Sequence, residues 1–212
     1  MSNEITYCAE IGSNHSGSLD LALAHIRAAK EAGATAVKFQ LFRAESLDSR
    51  PEVQEKLRPY ELPVRWLPRL SNEAHTLNLQ FGVTPFAINL VEPLKGLVDF
   101  VKISAYDLTF DDLVSEAAKL YVPVVLSTAM ATWEEITWAV QSAWTANREI
   151  DLVLLHGVAQ YPSRLKEQNL TTIKKITDLF VRRSGLSDHT LGHEAAMLAV
   201  ALGATWIEKH FR

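Results

Sequence analysis

The chain has 212 residues, 48% hydrophobic and 22% charged, with a net charge of −4. That is enough for one domain with a full core, and it offers no global basic field for nucleic acid. The longest apolar run, Ala195 to Ile207, is interrupted by Gly203 and Thr205 and is too short to span a bilayer, so no membrane partner is expected. Met1-Ser2-Asn3-Glu4 has no basic region followed by an apolar stretch, and Cys8 is the single cysteine. A signal peptide and an internal disulfide framework are therefore not expected, and the expected compartment is cytoplasmic.

Short apolar runs alternate with helical segments along the chain. The first run, Ile5–Ile11, is followed by Leu19, Leu23, Ile26 and Ala29 at helical spacing, with Gly33 as a stop. Ala36–Phe39 is the second run. After it comes the longest irregular piece, Arg43 to about Pro63, marked by Pro51, Pro59 and Pro63. It is a candidate lid over the end of the second strand. Further runs are Leu79–Val83, Phe100–Ile103, Val122–Leu126, Leu152–Leu155, Gly185–Ser187 and Thr205–Phe211. Thr109-x-x-Asp112 reads as a weak capping box. Thr132-Trp133-Glu134-Glu135 reads as a strong one, opening a helix to about Ala146. Its Trp133, Trp138 and Trp144 are expected to pack on the body of the fold or on a partner chain. Leu170–Val181 and Leu191–Leu202 complete the helices. Eight strands alternating with helices predict a parallel sheet, and the count favours a closed (β/α)8 TIM barrel, with residues 1–212 as a single domain. No Gly-x-Gly-x-x-Gly turn follows the first strand, which weakens a dinucleotide-binding alternative.

The strand ends carry the chemistry. Strand side chains alternate faces, so Glu208 and His210 point the same way, and Ser187 and His189 form a similar ending upstream. The other runs finish in Glu10, then Lys38 and Gln40, Thr84, Lys102 with Ser104, Ser127 with Thr128, and His156. In a barrel these converge at the C-terminal face of the strands, where barrel enzymes hold their chemistry. Lysines, glutamates and histidines buried there unpaired would each cost several kcal/mol, so they imply a polar, ligand-filled cavity. Cys8 alternates with Glu10 and reads as a small core residue. Asn14 and His15 either border that cavity or serve the turn and the surface.

One series of motifs runs in order through the whole chain. It comprises Ala9-Glu10-Ile11-Gly12-Ser13-Asn14-His15, Val37-Lys38-Phe39-Gln40, Thr84-Pro85-Phe86, Val101-Lys102-Ile103, Leu126-Ser127-Thr128, Leu155-His156, Tyr161-Pro162, Asn169-Leu170, Ser187-Asp188-His189-Thr190 and Ile207-Glu208-Lys209-His210-Phe211. This series resembles the sialic acid synthase family. The resemblance implies an aldol-like condensation of phosphoenolpyruvate with an N-acetylated aminohexose such as N-acetylmannosamine, releasing phosphate and assisted by Mn2+ or Mg2+. It implies His189 and His210 as metal ligands, and Lys38 and Lys102 as holders of the phosphoenolpyruvate anion. Thr84, Ser127 and Ser187 would be hydroxyl donors to that anion. Glu10 and Glu208 would be the acidic residues, one for sugar hydroxyls and one for a proton or the attacking water. Gln40 and Tyr161 would make further substrate contacts.

The departures from the family pattern matter too. Ala105 stands where the family usually has a phosphate-contacting serine, with Ser104 on the opposite face, and Ala159 where it has Asn or Ser. Each lost hydrogen bond to the anion costs about 1.5–3 kcal/mol. The family continues past the Glu208–His210 strand into an eighth helix and usually a small antifreeze-like domain, so the eighth helix is expected to be absent here. The uncovered apolar surface should then seek a partner, a homodimer being the simplest. Two alternatives remain: a degenerate barrel that binds a phosphorylated or acidic sugar without turnover, and a Schiff-base aldolase on Lys38 or Lys102, which needs a depressed lysine pKa.

Overall fold

The computed structural model describes residues 5–212. Eight parallel strands close into a barrel in chain order. They are β1 (Thr6–Gly12), β2 (Ala36–Leu41), β3 (Gln80–Pro85), β4 (Phe100–Ile103), β5 (Val124–Ser127), β6 (Leu152–Gly157), β7 (Arg183–Asp188) and β8 (Trp206–His210). Apolar side chains on both faces suit strands covered outside by helices and packed inside against one another. The closing pair, β1 with β8, sets Cys8 beside Glu208 and Glu10 beside His210. Ser187 lies beside Glu208, and Gln40 beside Thr84.

Helix α1 (Leu19–Glu31) starts where Ser18 Oγ accepts from the Leu21 N–H at 3.2 Å, and it buries Ala22, Leu23, Ile26 and Ala29. Three helices follow β2: α2 (Ala44–Leu47), α3 (Pro51–Leu57) and α4 (Leu67–Thr76). The segment expected to be an irregular lid therefore holds two short helices and is fastened at its ends. Glu61 accepts from Arg43 at 3.0 Å and from the Ala44 N–H at 2.8 Å, and Leu62 is fully buried. Helix α4 was not expected from the sequence, although Leu67, Leu70 and Ala74 at helical spacing are all buried.

Between β3 and β4 the described residues form only 3-10 turns, at Ile88–Leu90 and Glu92–Leu94. Helix α5 (Asp111–Ala118) is preceded by Phe110 at the cap position, with no side-chain cap, so Thr109 does not open it. Helix α6 (Trp133–Ala146) has the full capping box: Glu135 N–H donates to Thr132 Oγ1 at 3.2 Å, and Thr132 N–H to Glu135 Oε2 at 2.7 Å. Its tryptophans stay outside the buried core, with Trp133 40% and Trp144 44% exposed. Ile136, Ala139 and Ala143 fill the face on the barrel, and Trp138 is 61% exposed. Helices α7 (Thr171–Phe180) and α8 (Glu194–Ala201) precede β7 and β8. After β8 come Phe211 and Arg212, with no helix. No helix among the described residues is long and apolar enough to cross a membrane.

The interior is layered by the two-residue period. Cys8, Ala36, Phe100, Val125, Val153 and Trp206 form an apolar floor. Two residues further along their strands, Glu10, Lys38, Lys102, Ser127 and Glu208 form the buried polar layer above it. Phe100 and Trp206 meet edge to face at 4.9 Å across the floor. Two glycines make room for them. A Cβ on Gly82 would lie 2.1 Å from Phe100 Cζ, and one on Gly185 would lie 2.1 Å from the Trp206 carbonyl oxygen. The second clash is with backbone and cannot be relieved by a rotamer change. Gly185→Ala should therefore destabilise the barrel by about 3 kcal/mol or more, read as a lowered denaturation midpoint; an unchanged midpoint refutes the packing argument. Val181, which ends α7, is 80% exposed and holds φ at +50°. A β-branched residue is strained there, so Val181→Gly should raise the unfolding free energy by about 1 kcal/mol in thermal melts.

Candidate active site

Of the candidate residues named from the strand ends, all but Thr128 and His156 open on one cavity of about 350 Å³ at the C-terminal mouth of the barrel. Glu10, Lys38, Thr84, Lys102, Ser127, Ser187 and Glu208 are its buried floor, and Gln40, Tyr161, His189 and His210 stand above them.

The two lysines differ. Lys38 is ion-paired with Glu10 Oε2 and donates to Thr84 Oγ1 at 2.9 Å. Burial works against its charge, but the carboxylates of Glu10 and Glu208 outweigh burial and raise its pKa above the usual lysine value. Lys102 donates only to the Ile103 carbonyl at 2.8 Å, with Glu208 Oε1 3.9 Å away. Burial lowers its pKa, and the positive charge of Lys38 adds to the effect. Lys38 is thus fixed as an ammonium, and an anion in the cavity would favour the charged form of Lys102.

The two glutamates also separate. Both oxygens of Glu10 are engaged, Oε1 by Gln40 Nε2 at 2.9 Å and Oε2 by Lys38. Glu208 Oε1 has only Ser187 Oγ at 3.5 Å, and its Oε2 is buried without a hydrogen-bond partner. Burial would raise the Glu208 pKa, but the nearby lysines outweigh it and hold the carboxyl below its usual range.

His189 Nδ1 lies 2.7 Å from the Val158 carbonyl, which can only accept, so Nδ1 carries the proton and Nε2 keeps its lone pair. Burial pushes its pKa down. The His210 ring is 5.8 Å away centroid to centroid, and Tyr161 packs over His189 at 4.1 Å. Among the described residues no group of three or more His, Cys, Asp or Glu gathers into a metal cage. The available donor set is two imidazoles, which suits a divalent ion that takes its other ligands from substrate and water.

The NeuB family model matches residues 25–212. The chain belongs to the NeuB family. It is 34% identical over 219 residues to a pseudaminic acid synthase of Helicobacter pylori, covering 96% of this chain and 64% of that protein. It is 36% identical over 222 residues to an N,N'-diacetyllegionaminic acid synthase of Legionella pneumophila, covering 96% and 62%. The chain thus spans under two thirds of the length of these curated relatives. A sialic acid synthetase from Leptospira borgpetersenii, solved in complex with citrate, is 33% identical with a TM-score of 0.93 and covers 99% of this chain and 74% of that one.

Several residues of this NeuB barrel lie elsewhere than the sequence suggested. His156 was expected to face the barrel interior with the other strand-end histidines. It instead points out between strand and helix, its Nε2 donating to the Gln168 carbonyl at 2.5 Å. His15 is fully buried edge-on against Trp66 and does not reach the cavity. Asn14 donates to the Phe211 carbonyl at 2.9 Å, tying the first loop to the end of β8 beyond His210. Ser104 was placed on the face opposite Ala105, yet both line the cavity. Strand alternation ends at Ile103, a 3-10 turn covers Ala105–Asp107, and Ser104 Oγ donates to Asp107 Oδ2 at 2.6 Å. Phe86, Tyr106 and Ala129 also line the cavity and were given no site role from the sequence, because loop residues carry no periodic signal.

The Glu10–Lys38 pair gives a direct test of the buried electrostatics. Glu10→Ala strands an ammonium in the barrel and should cost about 3–5 kcal/mol of stability. Removing both charges with Glu10→Ala and Lys38→Met should cost at least about 1.5 kcal/mol less than the sum of the single changes in urea denaturation. Additive losses would show that the two side chains are not coupled.

Proposed function

We propose that this barrel condenses phosphoenolpyruvate with the open-chain aldehyde of an N-acetylated aminohexose, such as N-acetylmannosamine or a deoxy analogue, giving a nonulosonate and inorganic phosphate. The observation that carries this reading is one cavity holding two buried lysines, two buried glutamates and two imidazoles. The synthase names of the relatives and the citrate bound to the Leptospira borgpetersenii neighbour support it.

Lys38 and Lys102 neutralise the phosphate and carboxylate, two anionic groups for two ammonium groups. Thr84, Ser127 and Ser187 supply neutral donors to the same anion, and the ion pair with Glu10 keeps Lys38 charged and aimed inward. Glu10, with both oxygens engaged, has the positioning role and presents Gln40 to the sugar. Glu208 has the free oxygen Oε2, so it takes the proton role. As C3 of the enol bonds to the aldehyde carbon, the C=O π electrons move onto the aldehyde oxygen, and water adds at the electron-poor C2. Glu208 accepts one proton of that water and passes it to the aldehyde oxygen, which becomes a hydroxyl; C2 then collapses to the ketone as phosphate leaves with the C2–O bond electrons and takes up the remaining hydroxyl proton. His189 and His210 would hold the divalent cation, Mn2+ or Mg2+, and Tyr161 packs against both rings. When bound, such a cation supplies Lewis-acid polarisation of the aldehyde oxygen.

A second reading, an anion-binding barrel without turnover, is favoured by the alanines at 105 and 159, which line the cavity and offer no hydrogen bond.

Calorimetry with phosphoenolpyruvate and Mn2+, followed by phosphate release with N-acetylmannosamine, separates the two readings. Wild type should bind the anion and release phosphate; binding without release supports the second reading, and no binding overturns both. Lys102→Ala should weaken phosphoenolpyruvate about 10- to 150-fold, the loss of one charge-assisted hydrogen bond. His189→Ala should abolish the response to Mn2+ while leaving anion binding in place. Glu208→Gln should keep binding but slow phosphate release by about a hundredfold or more.

A further inference from the structure

We infer that Asp188 and Lys209 form a clasp on the outer face of the barrel that positions the His189 imidazole against His210 on the inner face. Its bearing on catalysis rests on the proposed role of those two rings in holding a divalent cation. Strand β7 ends at Asp188, and Asp188 beside Lys209 is the last pair of the ladder between β7 and β8. His210 still lies on its strand, where it pairs with Glu10 of β1. His189 lies one residue beyond the β7 ladder. Backbone pairing therefore places His210 and leaves His189 on a turn.

Side chains supply what the ladder does not. Asp188 Oδ1 accepts from the Thr190 N–H at 2.9 Å and from Thr190 Oγ1 at 2.7 Å. Asp188 Oδ2 accepts from Lys209 Nζ at 2.7 Å, and the same ammonium donates to the Thr190 carbonyl at 2.6 Å. The residues on either side of His189 are thus fastened to each other and to the chain neighbour of His210. The turn is held from the other side where the Ser163 N–H donates to the His189 carbonyl at 2.9 Å. With the backbone fixed, the single bond from Nδ1 to the Val158 carbonyl is enough to set the ring. The Asp188 side chain is wholly removed from water. A buried ion pair is seldom more stabilising than apolar side chains of like volume, but its hydrogen bonds have direction. An apolar pair at these positions could fill the space and could not hold Thr190 by its N–H, hydroxyl and carbonyl. Neither Asp188 nor Lys209 lines the cavity, so both are positioning residues that act through His189.

The double variant Asp188→Asn/Lys209→Met tests the clasp. It removes both charges together and keeps an amide oxygen for the Thr190 N–H, so no charge is stranded and the barrel should fold with a melting temperature near that of wild type. In metal-free protein with isotope-labelled histidine, nuclear magnetic resonance should show the His189 Nδ1 proton as slowly exchanging in wild type and as markedly faster in the variant. In calorimetry with Mn2+ alone, affinity should fall about 10- to 100-fold, the usual loss when support for a metal ligand is removed. Phosphoenolpyruvate binding without metal, which uses the lysines, should be unchanged. A purely structural pair would move the melting temperature and leave the histidine signal and Mn2+ affinity alone, and that result overturns the proposal. A wild type that ignores Mn2+ would sink the metal reading of the two rings. The histidine signal then still decides the clasp: faster exchange in the variant upholds its grip on His189, and unchanged exchange refutes it.

Discussion

The buried network of Glu10, Lys38, Lys102 and Glu208 is the constraint on which the rest of the structure depends. Four ionisable groups sit together inside a closed sheet, each almost removed from water. Isolated charges in such a place would be prohibitive, and a matched set of two cations and two anions is tolerable only if their positions are held. The barrel holds them by register. Glu10 lies next to Lys38 across β1 and β2, and Cys8 lies next to Glu208 across β1 and β8, which places both glutamates on adjacent strands. A one-residue slip of any of these strands would turn a charge outward among helix side chains and an apolar residue into the cavity.

The floor beneath the charges secures that register. Phe100 and Trp206 meet across the barrel and close it to water from below. They fit because Gly82 and Gly185 lack side chains at the same level. Excluding water from one side strengthens every electrostatic contact above. It also leaves the mouth as the way in for an anion, toward the least partnered groups of the layer, Lys102 and Glu208 Oε2. The same geometry that makes the layer costly to fold would make it effective at meeting the proposed anionic substrate.

Much of this was legible in the sequence, for a specific reason. The two-residue alternation Cys8/Glu10, Ala36/Lys38, Phe100/Lys102, Val125/Ser127 and Trp206/Glu208 is the barrel's layering written directly into the chain. Side chains on strands could therefore be assigned to the cavity without coordinates. The errors fall where that period fails. His156 follows the inward Leu155 and so points out, a parity that its polar character masked. Ser104 lies one residue past the end of β4, where a 3-10 turn replaces alternation. The prolines between Pro51 and Pro63 suggested irregular chain, but Pro51 fits the first turn of α3 and Glu61 anchors the segment through contacts invisible to local pattern. The separation of Glu10 from Glu208 could not be read at all, because it depends on which oxygens find partners across strands.

The cavity's two walls differ in a way that bears on how it grips a ligand. The β1, β2, β7 and β8 side presents carboxylates, an ammonium, an amide and imidazoles, whereas the loops after β4, β5 and β6 present Ala105, Ala129 and Ala159 beside the hydroxyls of Ser104, Tyr106 and Tyr161. Hydroxyl and amide donors hold an anion by direction, whereas ammonium groups hold it by charge, with little preference for orientation. With alanines at those three positions, the proposed anion would take its orientation from the remaining hydroxyls, among them Thr84, Ser127 and Ser187 on the floor, and its affinity mainly from Lys38 and Lys102. Of these, Lys38 is already committed to Glu10, so an incoming phosphate or carboxylate shares it with a resident carboxylate. Lys102 has no such competitor within hydrogen-bonding reach. In the proposed reaction the burden of anion capture would therefore fall on Lys102, whose charge burial disfavours and a bound anion would restore.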